Sequence, residues 1–490
     1  MEELLRMSAT TLAKKIRAQD VSARQVIDTH IDRIQKVNPH LNAVVAQRFS
    51  QARQEAEQVD QAIKDAAPDD SFPPLFGVPC TVKECFSLQG MPQTSGLVAR
   101  EGLIAEEDAT TVSRLRAAGA IPLGVTNLSE LCMWMESDNR VYGRTNNPYL
   151  PTRIVGGSSG GEGAIVGAGA SPFGLGSDTG GSIRMPAFFN GVFGHKPSGR
   201  LVPATGQYPS AEGEVLRYLC TGPICRRAED LMPLLKILAG PDGADSECVE
   251  MKLGDPDAVD FSRLHVINVP SNERQRIAPS LQIAQARAAR HLASLGATVQ
   301  RKRFPLLRYS GEIWGASVGQ GQKGKFREML QRESTGDLLL QTVQLLFGRS
   351  PHTLPALALA YLEKLESLAP DLSSEFLNKG VELKAQIFDA LGENGLMLFP
   401  SHVGPAPEHA SPLFSPFNWT YTAILNVLEC PVTQVPLGFD EDGLPVGVQV
   451  AAMPGNDHLT IAAAIALEEA FGGWKMPMMG RMSFAHPSWQ

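Results

Sequence analysis

Ala109-Thr-Thr-Val-Ser-Arg-Leu-Arg-Ala-Ala-Gly119, continued without a break by Ala120-Ile-Pro-Leu-Gly-Val-Thr-Asn127, is the stretch that decides the fold class. The first half reads as a helix, and Gly119 falls where a helix takes a left-handed C-terminal cap. The second half is a short apolar run bounded by turn residues, the pattern of a strand buried on both faces. A helix closed by glycine and followed at once by such a strand signals an α/β sheet. Upstream, Leu75-Phe-Gly-Val-Pro-Cys-Thr-Val82 repeats the buried-strand pattern. Downstream, residues 430–439 and 444–452 flank Asp440-Glu-Asp-Gly443 and predict two strands joined by a short turn, with a helix over 457–471 after them.

Working outward, two helices open the chain. Ser8 caps a segment carrying Leu12 and Ile16, and Ser22 with Gln25 forms a capping box ahead of Ile27, Ile31 and Ile34. Asn38-Pro39 is expected to stop the second helix, and residues 50–70 are expected to form a third, exposed one. Residues 242–394 are richer in charge and read as mostly helical, with one strand near Leu264-His-Val-Ile-Asn-Val-Pro270. A length of 490 residues alone suggests two to four domains. No repeat or Pro/Ser-rich linker divides the chain, so one α/β domain over 1–490 is preferred.

With 43% hydrophobic and 20% charged residues the composition is that of a globular protein. The net charge of -8 speaks against a duplex nucleic acid partner. Seven cysteines are scattered, and the pairs Cys80/Cys85 and Cys220/Cys225 form no CxxC unit. Reduced thiols in a reducing, cytoplasmic setting are the expectation. The N-terminus has no apolar signal region, and the longest apolar candidate, 338–362, is broken by Arg349-Ser-Pro-His352, so no transmembrane span is expected. That segment reads as a buried helix, with an interfacial cap making peripheral membrane contact as the competing reading.

Three places could do chemistry. Lys83 ends the apolar run Val78-Pro-Cys-Thr-Val82, so its side chain starts from buried backbone, and a desolvated lysine can act as a base near neutrality. Gly156-Gly-Ser-Ser-Gly-Gly161 lets backbone approach a ligand closely, and Gly156, Ser158 and Gly160 fit the GxSxG pattern of a nucleophile elbow. His402, His409 and His458 lie downstream of it without a persuasive acidic partner. In Gly176-Ser-Asp-Thr-Gly-Gly-Ser182-Ile-Arg-Met-Pro186, the backbone N–H groups of Thr179, Gly180 and Gly181 can converge as an anion nest, with Ser182 placed as a nucleophile beside it. Neither GxxxxGK[ST] nor GxGxxG fits there, which weakens a phosphate loop. His195 reads as structural, and Met133-Trp134-Met135 as core.

Lys83, the 156–161 tract and the 176–186 motif, in this order, resemble the amidase signature family, and the resemblance extends over nearly the whole chain. Ser129-Glu-Leu-Cys-Met-Trp134 and residues 182–198 are similar to its fatty-acid amide hydrolase branch. The resemblance implies an amidase signature fold: a large mixed β-sheet core surrounded by helices. It implies an N-terminal helical segment (1–70), a signature core (75–200), a substrate-shaping region (242–394) and a completing C-terminal part (395–490). By the same likeness, Ser182 matches the nucleophile, Ser158 a bridging serine held through a cis peptide, and Lys83 the base. The N–H groups of Thr179, Gly180, Gly181 and Ser182 match the oxyanion hole. Cys132, Met133 and Ser159 are candidate substrate contacts. The implied activity is hydrolysis of carboxylic amides with an apolar acyl or aryl part through an acyl-enzyme, extending to esters and carbamates. The alternative is the glutaminase subunit of a tRNA-dependent amidotransferase. No metal or organic cofactor is implied; the expected partner is a small-molecule amide, with a homodimer as one open assembly.

Overall fold

The computed structural model describes residues 2–478 apart from 68–69, 323–324, 333–337 and 367–369. Gly119, at φ +90°, follows the helix Thr110–Ala117 and passes the chain directly into a buried strand, as its sequence requires. In chain order the strands are β1 (Val44–Gln47), β2 (Pro79–Lys83), β3 (Ile121–Thr126), β4 (Asp138–Asn139), β5 (Gly143–Arg144), β6 (Phe173–Asp178), β7 (Phe193–Lys196), β8 (Cys220–Cys225), β9 (His265–Asn268), β10 (Thr298–Arg301), β11 (Gly395–Phe399), β12 (Val432–Phe439) and β13 (Pro445–Ala451). β4 and β5 pair with each other, and the remaining eleven form one sheet in the order β1-β3-β2-β6-β8-β7-β12-β13-β11-β9-β10.

The sheet is mixed. β3, β2 and β6 run parallel, as do β11, β9 and β10 at the far end, and antiparallel pairs join the two groups. β2, β3 and β6 are buried along their full length, which explains why their sequences are apolar runs and not alternations. Because β2 and β6 are parallel neighbours, Lys83 at the end of one and Asp178 at the end of the other leave the same edge of the sheet. That edge, outside the carboxyl ends of parallel strands, is where open α/β sheets place their ligands.

The strand pair β12/β13 and the helix Asp457–Phe471 stand where the sequence puts them. Ser8 and Ser22 accept from the N–H groups of Thr11 and Gln25. Asn38-Pro39 does not stop the second helix, which runs from Ala23 to Leu41 and ends at Asn42, φ +53°. The carboxamide of Asn38 accepts from Ala43 and Val44 N–H at 2.8 Å each and secures the chain beyond the proline. The third helix is shorter than expected, Phe49–Asp65. The 242–394 region holds a second strand, β10, whose four residues at the sheet edge carry no apolar alternation.

Residues 338–362 fit neither a fully buried helix nor a detached cap. In the helices Leu338–Leu346 and Leu354–Glu366, the residues Leu338, Ala356, Leu357 and Ala360 pack with Leu97, Leu131, Phe326 and Leu330 into a small core of their own. Leu339, Leu346 and Phe347 face outward at 65%, 80% and 73% exposure, which leaves an apolar outer face. No helix among the described residues is long and apolar enough to cross a membrane.

The first helix is docked by one buried carboxylate. Asp230 accepts from Ala9 N–H at 2.7 Å and from Thr10 N–H and Oγ1 at 2.9 Å each. Asp230→Ala should lower stability by about 1.5–3 kcal/mol, the usual worth of hydrogen bonds to a charged acceptor. A thermal unfolding midpoint equal to wild type would show that this cap does not hold the N-terminal helices.

Candidate active site

Lys83 is fully buried, and its Nζ lies 2.6 Å from Ser158 Oγ and 2.9 Å from Ser177 Oγ. Among the described residues it makes no ion pair. Ser158 sits in the glycine-rich turn before the helix Gly160–Gly167, after a cis Gly157–Ser158 peptide bond. The Ser137 hydroxyl braces that turn, 3.1 and 3.2 Å from the carbonyl oxygens of Gly156 and Ser158, and accepts from Gly160 N–H at 3.0 Å. Ser159 N–H donates to Ser182 O at 3.2 Å, which ties the two serine-bearing segments together.

The loop after β6 is organised from beneath by Asp178. Its carboxylate accepts from Gly181 N–H at 2.7 Å and Ile183 N–H at 3.0 Å, and pairs with Arg184 through Nε at 3.0 Å and Nη2 at 2.9 Å. Burial alone would raise this carboxyl, but Arg184 and the Ile183 N–H outweigh it and hold Asp178 well below the ordinary carboxylate range. Arg184 reaches on to Thr422 O, Gln449 and Asn426, so the pair is bonded on all sides. Above it, Trp314 Nε1 donates to Thr179 O at 2.7 Å, and Thr422 Oγ1 lies 2.6 Å from Gly180 O. Fixing a carbonyl fixes the N–H on the other side of the same peptide plane.

Ser158, Ser177, Thr179 and Ser182 line a cavity whose other walls include Cys85, Leu131, Cys132 and Met133. Cys132 and Met133 line this cavity, while Met135 is core. Two expectations change. Ser159 is fully buried, with its hydroxyl 3.3 Å from Ser177 O, and it braces the sheet instead of facing a ligand. Gly181 N–H is committed to Asp178, leaving Thr179, Gly180 and Ser182 as the candidate donors of the nest.

The histidines lie elsewhere. His402 bonds Gly404 O, His409 meets Glu136, and His195 is buried between Thr433 and Asp457, the structural role expected of it. Among the described residues no group of three or more His, Cys, Asp or Glu could hold a metal ion. Sequence reasoning missed Ser177 and Trp314. Ser177 lies inside the quoted motif, but only the pairing of β2 with β6 brings it to Lys83. Nothing near Trp314 in the sequence ties it to residue 179.

The sequence model of the amidase family matches residues 25–461. The chain belongs to that family. It is similar to fatty-acid amide hydrolase 2-A of Danio rerio, 47% identical over 97% of this chain and 90% of the relative. Fatty-acid amide hydrolase 2 of Homo sapiens is 45% identical over 97% and 91%. Among solved structures, that of 6-aminohexanoate cyclic dimer hydrolase superposes with a TM-score of 0.79 at 26% identity, covering 95% of this chain and 97% of that one. As an amidase, the protein is a hydrolase acting on carbon–nitrogen bonds in amides, close to the fatty-acid amide hydrolases. Its large mixed sheet surrounded by helices is the fold expected from the sequence.

Asp178→Asn should leave Arg184 buried without its anion and cost about 3–5 kcal/mol. A carboxyl held low in the folded state contributes stability above its unfolded value and loses it as pH falls through the folded one. The gap in unfolding midpoint between wild type and Asp178→Asn should therefore be widest near neutrality, begin to narrow below about pH 4, and close only at the much lower pH where the folded carboxyl protonates. A gap that stays constant with pH would show that the pair does not carry the loop.

Proposed function

We propose that this amidase cleaves carboxylic amides with an apolar acyl or aryl group through an acyl-enzyme, with Ser182 as nucleophile, Ser158 as proton carrier and Lys83 as base. The supporting observation is the 2.6 Å contact of a fully buried lysine amine with Ser158 Oγ, at a cavity that Ser182 also lines. Unprotonated Lys83 takes the Ser158 proton as Ser158 takes that of Ser182, and Ser182 attacks the carbonyl. The N–H groups of Thr179, Gly180 and Ser182 receive the oxyanion of the tetrahedral intermediate. Ser158 then returns a proton to the departing amine nitrogen, and water hydrolyses the acyl-enzyme by the same relay. Esters and carbamates carry the same carbonyl and enter the same chemistry.

Leu131, Cys132 and Met133 give the cavity apolar walls, and the fatty-acid amide hydrolase relatives point to a fatty or similarly apolar acyl group. The outward apolar face of the two helices in 338–366 would let the protein rest on a lipid surface and take such a substrate from it.

A panel of long-chain, short-chain and aryl amides with aryl carbamates should show amine release by wild type and a fall of about 10³-fold or more in Ser182→Ala and in Lys83→Ala. Wild-type rates in Ser182→Ala would move the nucleophile to Ser158. Wild type should also sediment with liposomes, and Phe347→Glu combined with Leu346→Glu should leave it in the supernatant without loss of activity on a soluble substrate. Equal sedimentation of both proteins would remove this face as the contact.

A further inference from the structure

Glu162 is a fully buried carboxyl for which the mechanism above has no use. It lies in the first turn of the helix Gly160–Gly167, four residues after Ser158, and its side chain lies across three adjacent strands. Oε1 accepts from Thr126 Oγ1 of β3 at 2.8 Å, and Oε2 from Thr81 Oγ1 of β2 at 2.6 Å. Over β6 it passes so close to Gly174 that a Cβ there would sit 1.7 Å from Oε2, so only glycine fits. Thr126 is the cross-strand partner of Lys83 in the parallel pair β2/β3, so their side chains leave the same face, and Thr81 meets the same carboxylate from β2 beside a register irregularity between Cys80 and Val82. Glu162 and Lys83 therefore share one face of the sheet, on either side of one threonine pair. Among the described residues Glu162 makes no ion pair, and burial pushes its carboxyl up to about 8 against the pull of both threonines and of Lys83.

We propose that Glu162 is a positioning residue for the base: it clamps the Lys83 strand between its neighbours and controls the proton held on Lys83 by keeping or releasing its own. This rests on the reading of Lys83 as base. A protonated Glu162 leaves the amine free to be neutral, whereas an ionised one on the same face favours the ammonium. The other titratable groups within electrostatic reach are Cys80 for Glu162, and Cys85 and Cys132 for Lys83.

The test is the pH profile of kcat/KM. Glu162→Gln keeps an acceptor and a donor for the two threonines and cannot ionise. Its acid limb should move to lower pH by about 0.5–1 unit, with KM unchanged on the plateau. Thr126→Val removes one donor to the ionised carboxyl and should move the limb in the same direction by less, which keeps the proposal testable if Glu162→Gln does not fold. The same shift should persist in a Cys132→Ser background, which excludes that thiol as the source. Profiles of both variants that superimpose on wild type, or move to higher pH, overturn the proposal, because a purely structural clamp would alter stability without moving the midpoint. Lys83→Ala runs alongside: retained activity there would show that the base assignment has failed, whatever Glu162 does.

Discussion

The amine of Lys83 is taken out of water at the end of a central strand and given hydroxyl partners in place of a carboxylate. Burying an ammonium without a counter-ion is among the more expensive things a fold can do. The proposed role of Lys83 as a base fits that position, and the surroundings hold the side chain there. β3 and β6 flank its strand in parallel, which sends Lys83 and the 179–182 loop out of the same sheet edge. The helix after Ser158 packs on the face the lysine uses, so the first hydroxyl meets the amine without spanning any open space.

A buried ion pair stands beneath the neighbouring loop instead. Asp178 and Arg184 form a fully buried pair whose remaining polar atoms are satisfied by Ile183, Thr422, Asn426 and Gln449. A buried pair adds little net stability over apolar packing, but breaking it is costly, so its value here is rigidity. It fixes the loop backbone at Gly181 and Ile183, while from the other side Trp314 fixes the peptide that presents the Gly180 N–H and Thr422 the peptide after it. Donors held in place before the reaction need not reorganise during it.

Much of this was legible in the sequence wherever a signal was local. Gly119 followed by an apolar run, the paired strands β12 and β13, and the helix Asp457–Phe471 all follow from short-range periodicity and turn chemistry. Lys83 at a strand end and Ser158 and Ser182 in glycine-rich tracts were local features as well, while the roles proposed for them came from the family resemblance. Readings failed where a distant or unexpected partner decides. Asn38 supports the chain past Pro39 through its side chain, which a rule about proline does not foresee. Ser159 was a candidate ligand contact, yet its buried hydroxyl is turned to the carbonyl oxygen of Ser177. Ser177 and Glu162 become visible only once the order of strands is known, and Trp314 only once its helix is seen against the Thr179 carbonyl.

The proposed role of Ser182 requires that an acyl group pass through its hydroxyl. It is tested most directly by incubating the protein with an aryl carbamate, whose acyl-enzyme is slow to hydrolyse, and mapping the mass adduct by peptide sequencing in wild type and Lys83→Ala. Wild type should carry one carbamoyl group on Ser182, formed far more slowly in Lys83→Ala. An adduct on Ser158 or Cys132, or equal rates in the two proteins, would contradict it.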